Sequence, residues 1–155
     1  LKSIQDQILA IIPLIILLPA LNDMVGDFGT VVSSKFTTLL YRGKIEGVQS
    51  SAFRELFMMI FFTALISSVF LGTMTLVFSH FVGFAVTVDI MIKVFGIAVL
   101  STMILVSAIS IISVLLGFYI FKRNEDPNNF LIPISTSIAD FGSMIIFTLL
   151  VLLFF

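Results

Sequence analysis

Residues 130–155 read FLIPISTSIADFGSMIIFTLLVLLFF, a run of apolar side chains broken by one charge, Asp140. The run exceeds the roughly 20 residues that a helix needs to cross the ~30 Å hydrocarbon core of a bilayer. Lipid offers a backbone no hydrogen bonds, so a crossing segment has to satisfy its own and must be helical. An ionised aspartate at that depth costs roughly 2.5–3.5 kcal/mol even on the lenient insertion scale, and such residues face a bundle interior or water and mark ion paths. The alternative is a protonated Asp140 that bonds two helices together.

Three further segments of the same kind precede it. Residues 94–121 contain no charge, residues 56–79 form a second apolar run, and residues 8–40 are interrupted by Asn22, Asp23, Asp27 and Lys35. The composition agrees: 59% of the 155 residues are hydrophobic and only 11% charged, against about 25% charged in a soluble domain. Mean hydropathy is +1.24. The expected architecture is therefore all-α and integral to the membrane, a polytopic bundle with four spans in one domain covering residues 1–155. Residues 79–93, with His80, Gly83 and Asp89, read as a short turn at one surface. The first segment, at 1.5 Å per residue, would measure on the order of 50 Å. Pro13, Pro19, Gly26 and Gly29 allow it to bend, and a long broken first helix is predicted.

Basic residues set the orientation. Arg42, Lys44 and Arg54 lie between the first two segments, Lys122 and Arg123 between the last two, and the other side holds Lys2 and Lys93. With four spans both basic loops share a side, which the charge bias makes cytoplasmic. Residue 1 then starts outside; one additional span upstream would restore a cytoplasmic start. Net charge is −1, which gives no basic field for nucleic acid. One His and no Cys argue against zinc or copper, which want imidazole or thiolate.

Oxygen ligands are what remains, and they suit a hard cation. Asp23 and Asp27 are spaced i, i+4 on one helix face, with Asn22 beside them and Thr30 and Ser34 continuing a polar stripe. They need a cation, a proton or Lys35 between them; pairing with Lys35, or exposure in a water-filled vestibule, is the plain structural alternative. Thr136 lies one turn before Asp140, flanked by Ser135 and Ser137 and following Pro133, whose missing N–H frees the carbonyl of Asn129. Direct ligation by these hydroxyls competes with ordinary back-bonding to the helix, the better explanation for them. Mg²⁺ keeps several waters and takes one or two carboxylates, which matches this donor set. Candidate ligands are thus Asp140, Asp27, Asp23, Asn22 and Thr136. Asp126-Pro127 reads as a helix N-cap followed by proline at the first helical position, and Arg54-Glu55 as the start of the second helix.

One internal echo stands out: residues 26–30 (GDFGT) and 139–143 (ADFGS), each with a proline seven or eight residues earlier, in segments of opposite direction. Inverted repeats of that kind build midplane sites in transporters. An enzymatic reading, an intramembrane aspartyl protease pairing Asp27 or Asp23 with Asp140, is chemically conceivable because two carboxylates can share a proton. The glycine that such proteases carry two positions before Gly26 is Met24 here.

These motifs resemble the membrane domain of the MgtE magnesium transporters and the related animal MgtE-like solute carriers. The family pattern of proline, then Gly-Asn-x-Gly-x-Gln, then a basic-Gly loop is met by Pro19, residues 26–31 and Arg42-Gly43. The Arg-Glu opening the next helix is met by Arg54-Glu55, and the last-helix pattern by Asp126-Pro127, Pro133, Thr136, Asp140 and Gly142. The resemblance implies a non-enzymatic, homodimeric Mg²⁺ channel or transporter of the cell membrane. It implies that Asp140 binds partly hydrated Mg²⁺ with help from the Thr136 carbonyl. It also implies five spans, the first of them upstream. Two positions depart: Asp27 stands for the usual Asn and Val31 for the usual Gln. The extra charge leaves open an exchanger coupled to Na⁺ or H⁺. The cytoplasmic sensing domains of bacterial members are not in this sequence.

Overall fold

A computed structural model of the chain describes residues 2–45, 47 and 49–155, with side chains from Ile12 onward. It holds four helices: α1 (Lys2–Tyr41), α2 (Ser51–Phe81), α3 (Val88–Phe121) and α4 (Asn128–Phe154), with no strand among the described residues. All four contain a stretch long and apolar enough to cross a membrane, Ile12–Tyr41 in the case of α1.

The expected break in α1 is absent. The helix runs continuously through Pro13 and Pro19. Each proline deletes one donor, whereas a full break in lipid would strand several backbone groups at once, so the chain bears the smaller cost. Gly29 serves contact rather than bending: a Cβ there would lie 3.1 Å from the Ser135 Cβ, tight enough that α4 would have to give by a few tenths of an ångström. The turn expected over residues 79–93 shrinks to residues 82–87, because α2 continues to Phe81 and α3 starts at Val88. Thr87 caps α3 by accepting from the Ile90 amide, and the Asp89–Lys93 ion pair (2.9 Å, i,i+4) supports its first turns. Ser50 likewise caps α2, accepting from the Phe53 amide, so α2 begins before the Arg54-Glu55 pair. At α4 the expected cap is found: the Asp126 carboxylate accepts from the Asn128 amide at 3.0 Å, and Pro127 already has helical angles (φ −57°, ψ −30°).

Helices α1 and α3 form the centre. α1 touches α2, α3 and α4, and α3 touches α1, α2 and α4, while α2 and α4 do not meet among the described residues. Chain ends fix the directions. The Tyr41 and Phe121 rings sit 5.3 Å apart at one surface, and at the other Gly96 on α3 abuts the Phe154 ring of α4. The buried stripe of α1 is Leu17, Leu21, Val25, Val32, Phe36 and Leu40, steps of four and seven residues that hold one face inward. Its middle layer is Leu21 and Val25 with Leu105, Ile109 and Ala139, the first and last of these next in sequence to Asn22 and Asp140.

Lipid tails are as apolar as leucine, so close packing of small residues holds such helices together rather than hydrophobic burial. On α4, Ser135, Ala139 and Ser143 recur every fourth residue and are at most 2% exposed. Ser135 meets Gly29 and Ser33 on α1, where the Ser33 and Ser135 hydroxyls are 3.2 Å apart, and Ser143 meets Asn22. This seam sets the register that positions Asp140.

Candidate cation site at the seam of α1 and α4

Asp140 stands near the middle of α4, one residue after the buried Ala139. The neighbouring position rotates it about 100° around the helix, out of the seam but still against its edge, and it is exposed. Across the seam the Asn22 side-chain amide donates to Asp140 Oδ1 at 2.9 Å. Ser143, one turn further along α4, donates its hydroxyl proton to the Asn22 carbonyl oxygen. A carboxylate only accepts and a hydroxyl has one proton to give. The three groups therefore form a directed chain, Ser143 to Asn22 to Asp140, that holds the carboxylate in one orientation. Asp140 Oδ2 accepts no hydrogen bond among the described residues.

Asp23 and Asp27 are both exposed. They lie two positions from Leu21, Val25 and Gly29, so a helical rotation of about 200° puts them on the side of α1 opposite its packed stripe. α1 is covered by three neighbours, and this open side carries the acidic residues. The expected face of Asp23 and Asp27 is thus present. Lys35 does not pair with either: the ion pair among the described residues is Lys93–Asp89. Lys35 belongs instead to a pocket between α1 and α2 near their connecting turn.

The hydroxyls around Thr136 take the back-bonded arrangement. Thr136 Oγ1 donates to the Ile132 and Pro133 carbonyls at 3.0 and 3.1 Å, and Ser137 donates to the Pro133 carbonyl at 2.8 Å. No three His, Asp or Glu side chains among the described residues converge on a point that could hold a metal. Within one chain Asp23, Asp27 and Asp140 are each exposed and form no cage among the described residues. A concavity of about 860 Å³ lies elsewhere, beside Phe53, Phe57 and Phe61 of α2.

The sequence set Asp140 against the acidic face of Asp23 and Asp27, with Asn22 beside that face. The side chain actually bonded to it is Asn22, with Ser143 behind. The signal for that pairing was the small-residue run Ser135, Ala139, Ser143, which sets the α1–α4 register.

Four apolar helices and an intramembrane carboxylate clasped by an amide define a multi-pass membrane protein with a polar face at mid-bilayer. A family model, MgtE divalent cation transporter, matches residues 18–150, from just before Pro19 to near the end of α4. The chain belongs to this family, and divalent cation transport is its activity class. No curated protein and no solved structure matches the chain.

Proposed function

We propose that the chain carries Mg²⁺, partly hydrated, past Asp140, and that it does so as a two-fold dimer. The observation behind this reading is the Asn22–Asp140 clasp: a carboxylate near the middle of an apolar helix, fixed through one oxygen and open at the other. Mg²⁺ dehydrates reluctantly and binds with few protein ligands. A single oriented carboxylate with room for water around it suits that ion better than a closed cage would. Asp23 and Asp27, on the open side of α1, add negative charge that concentrates cations near the site. Thr136, one turn before Asp140, contributes through its carbonyl in this reading, its hydroxyl being turned back onto the preceding turn of the helix.

The dimer follows from cost. Three exposed aspartates facing lipid would each carry the intramembrane penalty of a few kcal/mol. A second copy across a two-fold axis would cover them, enclose water and bring a second Asp140 to the same path. The deciding measurement is Mg²⁺ influx into proteoliposomes containing a Mg²⁺-sensitive dye. D140A and D140N should lose more than tenfold in rate. Wild-type flux in both, at matched incorporation and helicity, would overturn the assignment.

A further inference from the structure

We propose that the pocket between the end of α1 and the start of α2 is a binding site for an anionic phospholipid. It has a volume of about 310 Å³, and its mouth holds three cations: Lys35, Arg42 and Lys44. Its floor is apolar, formed chiefly by Leu39, Leu56 and Met59. Among the described residues Glu55 is the one carboxylate in the lining, so there positive charge exceeds negative by three to one. None of the three cations forms an ion pair among the described residues.

Local structure explains how the cations come together. Gly43 adopts φ +64°, and the Lys44 amide donates to the Leu39 carbonyl while the Gly43 amide donates to that of Leu40. This is the Schellman ending, which only a residue tolerant of the left-handed region permits. It reverses the chain so that Arg42 and Lys44 stand over the last turns of α1. Lys35 lies six residues before Tyr41, about 9 Å deeper along the helix, and its long stem lets the ammonium reach up toward the surface. The backbone amides of residues 42–44 are all used within the turn, and Thr38 donates its hydroxyl proton to the Ser34 carbonyl at 2.8 Å. An anion here is therefore recognised by the three cationic side chains.

Cations at the end of α1 are in part what its dipole and the basic bias of one membrane side would produce. Neither effect makes a pocket with an apolar floor at the level where two spans end. That combination matches a lipid whose phosphate meets the cations while its acyl chain lies along Leu56 and Met59; basic pockets between spans bind such headgroups. A free phosphate would leave the floor unfilled.

The test is native mass spectrometry of the detergent-purified chain titrated with phosphatidylglycerol or phosphatidylcholine. Wild type should prefer phosphatidylglycerol. Each cation near the surface is worth about fivefold, so K35Q/R42Q/K44Q should lose at least tenfold in phosphatidylglycerol affinity. K122Q/R123Q, at the same surface but outside the pocket, should lose less than threefold. E55Q, which removes only the opposing charge, should gain several-fold and keeps the test decisive if the triple variant folds poorly. Equal binding of both lipids by wild type, equal losses in the two cation variants, or displacement by millimolar inorganic phosphate would each overturn the proposal.

Discussion

Removing Asn22 isolates what the clasp contributes to cation binding. In N22A the donor to Asp140 Oδ1 (2.9 Å) and the acceptor for the Ser143 proton both disappear, while every carboxylate stays in place. Electrostatic attraction for a divalent ion is then unchanged to first order. What changes is order, because Asp140 must now be fixed by the ion itself. Immobilising one rotamer-rich side chain costs about 0.5–1.5 kcal/mol, which corresponds to a two- to tenfold rise in the Mg²⁺ concentration giving half-maximal flux. N22D separates orientation from charge. It places a second carboxylate within contact distance of Asp140, where repulsion is about 4 kcal/mol at 4 Å and an effective dielectric of 20. That exceeds the orientational effect, so N22D should move half-saturation further from the wild-type value than N22A does. The assay is proteoliposome influx across a Mg²⁺ series, with Asp140→Ala as the reference for a lost ligand. Unchanged half-saturation in N22A, with flux abolished in D140A, would refute the claim that Asn22 orients the carboxylate.

Other consequences are as direct. At Gly117 an added Cβ would meet Phe36 Cε1 at 2.6 Å and Leu131 Cδ1 at 3.2 Å; G117V should cost about 1–3 kcal/mol, read as a lower thermal midpoint in detergent. S33A/S135A removes the buried hydroxyl pair of the α1–α4 seam and should destabilise by about 0.6 kcal/mol. Because that seam carries the clasp, its flux should fall no more than about threefold in the same proteoliposome assay. D27N restores the family's amide at that position. If the extra charge couples transport to another ion, D27N should remove any dependence of Mg²⁺ flux on an imposed pH or Na⁺ gradient, and gradient-independent wild-type flux would dismiss coupling.

The spans were legible because lipid imposes a length and an apolar composition that few soluble sequences meet. Their ends were less so. Hydropathy alone started α2 at residue 56 and α3 at residue 94, yet Ser50 and Thr87 cap them from the polar turns before those points. Charged residues at helix starts, Arg54-Glu55 and Asp89 with Lys93, belong to the helices because those ends reach the interface, where charge is solvated. The prolines of α1 misled in the opposite direction, since local propensity for a break yielded to the cost of unsatisfied backbone in lipid.

The site divides in the same way. That Asp140 is costly, and that Asp23 and Asp27 share a face, follows from residue type and the 3.6 period alone. Which residue meets Asp140 depends on how far one helix slides along another, and that register lives in the smallest side chains. Gly29 against Ser135 fixes it, and a slide of one turn would bring a different residue opposite the carboxylate. Chemistry and packing therefore alternate along α4: Ser135, Ala139 and Ser143 face inward and lock the seam, while Ser137 and Asp140 are left exposed. A carboxylate so firmly oriented, on an exposed helix face, would form half of a pathway in the two-fold dimer proposed above. In that proposal the rigidity of the seam would let two copies meet with their carboxylates already aimed.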